Sequence, residues 1–341
     1  MSKIKSFFER KGIVFSAKRY FIDAMGAMAQ GLFASLLIGT IFSTLSKYTG
    51  VELFETINTY AKQTTGAAIG VAIAWALGAP GLVMFSAATV GMMANALNGA
   101  GPAGAFFAVI VAVEIGKMVS KETKVDILVT PSVTILSGAL VSLLVCPVMG
   151  ALMTWLHDFI ITATEMRPVL MGIVISVVVG IVLTLPISSA ALCASIPIVG
   201  IAGGAAVAGC CAQMVGFAVI SFRENRWNGL VAQGLGTSML QMGNIVRKPI
   251  IWIPATLASA ITGPLATAVF HLKCDGVAAG MGTCGLVGPI GVLQFTETKD
   301  VMFWVGFVLI CFVLPAVLSL VFSEIMRRAG LIKYGDMKLD V

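Results

Sequence analysis

Charge-free runs dominate this chain. They cover 24–46, 64–113, 127–156, 168–222, 227–246, 249–270, 276–296 and 301–323. A membrane crossing takes roughly 20 apolar residues at about 1.5 Å of rise each, so 64–113 and 168–222 must fold back on themselves. Gly78-Ala79-Pro80-Gly81 and Asn98-Gly99-Ala100-Gly101-Pro102 break the first of these, and Leu185-Pro186-Ile187-Ser188-Ser189 and Ile196-Pro197 the second. The pattern predicts an all-α, polytopic membrane protein with crossings near 24–45, 66–79, 82–97, 102–119, 126–150, 169–185, 198–220, 230–246, 249–270 and 303–326, about ten in all. Small residues on the first crossing, Gly26, Gly31, Ala34 and Gly39, would let another helix approach closely. The loop 46–63 reads as external. Segment 154–167, with apolar positions 155, 156, 159, 160 and 163, reads as an amphipathic helix lying at the interface.

Two stretches resist a helical reading. In 271–297, glycine recurs at 282, 285, 288 and 291, with Pro289 among them. Glycine costs about 1 kcal/mol in a helix interior and proline about 3. Broken backbone at membrane depth survives only where protein or water satisfies its peptide groups. The second stretch, 187–196, reads as a short re-entrant piece after a proline break. Paired interrupted segments point to a transport site near the midplane.

Composition supports the membrane assignment and narrows the rest. Of 341 residues, 58% are apolar and 11% charged, with a mean hydropathy of +0.99. The net charge of +6 gathers at the ends, with Arg10, Lys11, Lys18 and Arg19 before the first crossing and Arg327, Arg328, Lys333 and Lys338 after the last. The positive-inside tendency then puts both termini in the cytoplasm, and an even count leaves Arg223 and Arg226 outside, against the same rule. The expected organisation is one transmembrane domain over 1–341, with a basic cytoplasmic segment 1–22, of which 3–19 forms a helix touching lipid headgroups, and a cytoplasmic tail 327–341. No folded basic surface serves nucleic acid. The seven cysteines form no CxxC and read as small packing residues. No metal-ligand cluster or cofactor motif stands out, so neither a metal nor a cofactor is expected.

The polar residues inside apolar runs are the candidates for chemistry. Asn95 and Asn98 neighbour each other near a Gly-Pro break, where carboxamides could meet a solute or bond between helices. Gln233, Thr237, Gln241 and Asn244 recur at helical spacing as one polar stripe, facing a cavity or a partner helix. Gln213 is a lone version of the same feature. Glu114 either faces protein or water, or pairs with Lys117 one turn on. Ser188 and Ser189 either cap a kink or face a site. His271, one helical turn before Asp275, either exchanges a proton or ends a span. Thr283 and the glycine amides around it could form an anion- or polyol-binding nest, and Glu297 closes the segment. Ser238 near His271 is a poor match to a membrane serine protease.

Two stretches carry a resemblance. KETKVDILVTPSVTILSGALVSLLV (121–145) resembles the basic turn and following helix of bacterial phosphotransferase-system permease subunits, the EIIC class. LTLPISSAALCASI (183–196) sits where those proteins carry an interrupted hairpin. The whole chain resembles a stand-alone EIIC-like group whose members are also described as regulators of a clostridial toxin. Phe295-Thr296-Glu297-Thr298 stands near the place of the family's Gly-Ile-Thr-Glu-Pro signature, without its proline, and Ser188-Ser189 replaces an asparagine-lysine pair. The resemblance implies a permease in the bacterial inner membrane, a homodimer, and a separate EIIB partner if phosphorylation is coupled, with no catalysis of its own. It would move a small polar solute (sugar, polyol or small carboxylate) past Asn95, Asn98, Ser188, Ser189, Gln241, Asn244, His271, Thr283 and Glu297. The alternative is a membrane solute sensor with an EIIC-like body and little or no transport.

Overall fold

A computed structural model describes residues 3–195 and 198–339; the break expected at Ile196-Pro197 lies outside the described residues. Every regular element among the described residues is helical. The chain separates into two compact units, Met1–Met153 and Thr154–Val341.

Unit 1 contains α1 (Lys3–Arg10), α2 (Arg19–Thr49), α3 (Glu52–Gln63), α4 (Thr65–Ala76), α5 (Gly81–Ala96), α6 (Gly101–Val119) and most of α7 (Asp126–Thr164). Close approach of helices at small residues holds it together. Gly31 of α2 lies against the Ala68 carbonyl, where an added Cβ would stand 2.8 Å away, and Gly39 lies against Ala61 and Asn58 of α3. Nothing crowds Gly26. Gly66 and Gly91 face each other so closely across α4 and α5 that a side chain on either would force the helices apart. At the end where α4 finishes, Lys117 Nζ donates to the carbonyls of Gly12 (2.8 Å) and Leu77 (3.0 Å) and pairs with Glu114 at 3.2 Å. The Tyr20 hydroxyl donates to Glu114 at 3.1 Å, so the buried carboxylate is paired within the protein.

Segment 154–167 departs from the expectation. Its first part continues α7, a single helix of 39 residues, rather than forming a separate interfacial helix. Pro131 and Pro147 lie inside that helix without ending it, as apolar surroundings allow.

Unit 2 is built around α10 (Ile201–Ile220), whose residues are almost all buried. Beside it run α8 (Pro168–Thr184), α13 (Pro249–Val269) and α16 (Val301–Arg328). Ser176 of α8 meets Gly209, and Thr184 further along meets Gln213, so α8 and α10 run in the same direction. After α8 the chain passes through α9 (Ser189–Ser195), and α10 starts at the end where α8 began. The Ser259 hydroxyl reaches the Gly209 carbonyl and Ala255 lies by Gly216, which makes α13 antiparallel to α10. Gly216 meets Ser319 and the Ile220 carbonyl meets Arg327, so α16 ends where α10 ends.

The crossing expected at 230–246 is not a helix. The chain runs through α11 (Phe222–Val231), a π-helical turn at Ala232–Gly236, extended backbone at Thr237 (φ −158°), a 3-10 turn at Ser238–Gln241 and α12 (Met242–Arg247). Both limbs meet the segment after α16: Asn225 bonds the Met337 carbonyl at 2.8 Å and Lys248 bonds Asp336 at 2.6 Å. Residues 222–248 thus leave and return at one end. The charge conflict at Arg223 and Arg226 disappears with that correction, because Arg327 joins Glu224 at 2.9 Å and holds this loop at the end of α16.

The glycine-rich stretch is broken as its composition requires. It consists of α14 (Gly276–Ala279), a turn, a 3-10 turn at Cys284–Leu286 and α15 (Val287–Phe295). Gly282 takes φ +52°, and an added Cβ there would stand 2.8 Å from the Cys210 backbone, at the middle of α10. The base of this hairpin is closed by Thr296, which accepts from the Lys273 amide at 3.0 Å and donates to its carbonyl at 3.2 Å. That base lies at the start of α10, where the Cys274 amide donates to the Gly200 carbonyl.

Among the described residues, seven helices are long and apolar enough to cross a membrane, and Thr65–Ala76, Pro168–Thr184 and Cys284–Phe295 are shorter apolar helices. The molecule is a multi-pass membrane protein.

Candidate functional site

Two interrupted hairpins enter unit 2 from opposite ends of α10 and meet near its middle. The tip of 271–297 touches Cys210, while the tip of 222–248 lies beside Val215 and Ala218. Gly234 and Leu235 from one tip and Thr283 from the other line a cavity of about 190 Å³, together with Val215, Ala218 and Phe312. Thr283 is 1% exposed and its hydroxyl has no hydrogen-bond partner. A buried hydroxyl without a partner costs roughly 1–3 kcal/mol.

Helix α9 packs against the glycine-rich hairpin. The Ser189 hydroxyl donates to the Gly280 carbonyl at 2.7 Å, and Gly280 has room only for hydrogen between Ser189 and Cys193. The two stretches that resisted a helical reading therefore interlock. Ser188 is half-buried at the start of α9.

Behind the tips lies a polar cluster of which the sequence alone marks only Gln213. The Gln213 carboxamide oxygen accepts from Trp252 Nε1 (3.0 Å) and from Thr184 (3.5 Å), and its nitrogen donates to Thr256 at 3.3 Å. Thr184 in turn bonds Ser238 at 2.8 Å. Threonine, serine and tryptophan raise no alarm in an apolar run, because each can bond locally. Their convergence follows from α8, α10, α13 and the hairpin packing together.

The Gln233–Asn244 stripe assembles, but not on one helix face. Gln241 donates to Gln233 at 3.0 Å, Asn244 donates to Gln241 at 2.9 Å, and Gln233 donates to Ser221 at 2.9 Å. Thr237 instead caps the 3-10 turn by accepting the Met239 amide at 3.1 Å. The remaining hydrogens of Gln241 and Asn244 go to the carbonyls of Met337 and Lys338.

His271 and Glu297 lie at the exposed base of the glycine-rich hairpin. His271 (φ +46°) donates from Nδ1 to the Thr267 carbonyl at 2.9 Å, which ends the preceding helix. Glu297 approaches Lys273 only at 3.9 Å. Asn95 and Asn98 belong to unit 1. Asn95 is half-buried on α5; Asn98 is exposed and lies beyond the end of that helix in left-handed backbone (φ +54°), so the two do not share a helix face.

An all-helical body whose interrupted elements converge near the middle of one buried helix is the arrangement expected of a membrane permease component. The family model described as "Phosphotransferase system, EIIC" matches residues 22–339, nearly the whole chain, and the protein belongs to that family. It is a permease-type membrane component of a phosphotransferase system, of the kind that works with EIIB partners. Comparison with curated proteins and with solved structures returns no match.

Proposed function

We propose that this EIIC protein moves a small polar solute (a sugar, a polyol or a small carboxylate) across the bacterial plasma membrane by alternating access. The solute would sit where the hairpin tips meet, against the Thr283 hydroxyl, the Ser189–Gly280 junction and the freed backbone of 280–286. One observation carries the reading: two interrupted hairpins from opposite ends of α10 meet beside a buried hydroxyl with no partner. Broken backbone of this kind at both approaches to one depth suits a site opened alternately from each face. One helix group shifts as a body while the tips hold the solute.

The arginines and lysines at one end of unit 2, Arg223, Arg226, Arg247, Lys248 and Arg327, support a cytoplasmic assignment for that end. The C-terminal tail is then cytoplasmic, and Arg10, Lys11, Lys18 and Arg19 argue the same for the N-terminus by their own charge. The protein works as a homodimer, and EIIB docks at the 121–124 turn and phosphorylates the arriving solute.

Purified protein in liposomes, given a panel of sugars, polyols and small carboxylates, tests this. Uptake of one of them, lost in Thr283→Val, is the expected result. Tight binding without flux in either direction would replace the permease with a solute sensor.

A further inference from the structure

The segment after α16 is bound to unit 2 as a peptide is bound to a receptor. Asn225 reads its backbone twice, donating to the Met337 carbonyl at 2.8 Å and accepting the Leu339 amide at 2.8 Å. Gln241 donates to the same Met337 carbonyl at 2.9 Å, and Asn244 donates to the Lys338 carbonyl at 2.8 Å. The Met337 side chain is fully buried, and the Lys248–Asp336 ion pair at 2.6 Å fixes the register. Carboxamides offer a donor and an acceptor on one rigid group, which suits them to reading a peptide backbone of any side-chain sequence.

Where these groups come from matters more than their number. Asn225 lies on the entering limb of the 222–248 hairpin; Gln241, Asn244 and Lys248 lie on the leaving limb. A strap tied to both limbs opposes their separation. Its hold also reaches inward. Gln241, while bonding Met337, donates to Gln233, which sits in the π-helical turn that carries Gly234 and Leu235 to the cavity. On the other side the strap faces outward, with Leu331 and Tyr334 exposed. It joins no helix or strand of the body: 331–339 is turns and irregular backbone.

We propose that 333–339 is an intramolecular latch, a peptide ligand in cis whose release lets the 222–248 hairpin open and exposes the cavity at its tip from that end. The latch itself is a statement about the hairpin; only the consequence for solute entry rests on the permease reading.

Hydrogen–deuterium exchange on the full-length protein in liposomes tests it. Replacing 333–339 with a glycine-serine stretch of equal length should speed exchange at 229–247 by about tenfold or more, while amides in the middle of α10 and α13 keep their protection. A synthetic peptide of sequence KYGDMKL added to that variant should restore protection, and a scrambled peptide should not. Asp336→Asn, which removes only the ion pair, should give the same pattern at smaller amplitude. Unchanged exchange at 229–247 overturns the latch, as does a rise spread equally over α10 and α13. Solute uptake is read separately on the same vesicles. Faster exchange at 229–247 with no uptake in any arm upholds the latch and removes the permease.

Discussion

Gln213 and Thr283 are both fully buried polar side chains of unit 2, and their partners set opposite expectations for removing them. Gln213 satisfies Trp252, Thr184 and Thr256 at once. Gln213→Leu leaves the Trp252 indole N–H without its partner, while Thr184 keeps Ser238 and Thr256 keeps the Trp252 carbonyl, and should cost about 1–3 kcal/mol. The Thr283 hydroxyl bonds nothing, so Thr283→Val should leave stability unchanged or raise it by up to about 1 kcal/mol. Thermal unfolding of the two purified variants checks the contrast; equal losses would mean that the Thr283 hydroxyl has a partner after all. Asp336 gives a pH prediction. Burial alone would raise its carboxyl, but the hydrogen bond from Lys248, the Lys333 amide and the charges of both lysines hold it below its ordinary value of 3.8. A carboxylate depressed in the folded state contributes stability above the unfolded value, and that contribution is lost as pH falls through the folded one. The segment around Asp336 should therefore stay docked at neutral pH and loosen only below about pH 4, an acid response that Asp336→Asn abolishes. Fluorescence of a probe on Tyr334→Cys, followed against pH, reads it.

Among the elements, the two hairpins differ in how far the sequence exposes them. Four glycines spaced by three and a proline cannot stay helical without loss, so the break in 271–297 is a local property. Its closure is not. Thr296 reads as an ordinary threonine, yet it joins both peptide groups of Lys273 across the base. Thr296→Val should weaken the hairpin by about 1–2 kcal/mol, seen as faster amide exchange over 273–296 with little change in α10. Gly282→Ala should cost more, because the left-handed backbone and the contact with Cys210 both forbid a Cβ. The hairpin 222–248 hides behind a charge-free run of near-spanning length, and hydropathy alone reads such a run as a crossing. Its polar clue, Gln233, Thr237, Gln241 and Asn244, reads as one stripe on a helix face; Gln233, Gln241 and Asn244 do bond to one another, while Thr237 caps a turn. The geometry that brings them together is a turn, an extended residue and a second turn rather than one helix face. Segment 154–167 fails for a similar reason: amphipathic periodicity marks a face but does not say where the preceding helix ends.

On the scale of the whole molecule, the placement of loops at one end or the other is the testable consequence. Cysteines introduced at Arg226 and Tyr334 should react with a membrane-impermeant maleimide from the same side, and one at Lys299 only from the opposite side; the native cysteines are all buried. Labelling of Arg226→Cys and Tyr334→Cys from different sides would mean that 222–248 crosses the bilayer after all. By itself the sequence determined that this is a helical, multi-pass membrane protein, where most of its helices run and which two stretches must be interrupted. Those properties follow from hydropathy, run length and the backbone limits of glycine and proline, all of them local. Tertiary structure alone decided that 222–248 turns back, that Gln213 gathers three partners and that the segment after Arg328 straps the hairpin. Each of these depends on groups far apart in the chain finding one another, and a hydrogen bond between distant side chains leaves no periodicity for a sequence to display.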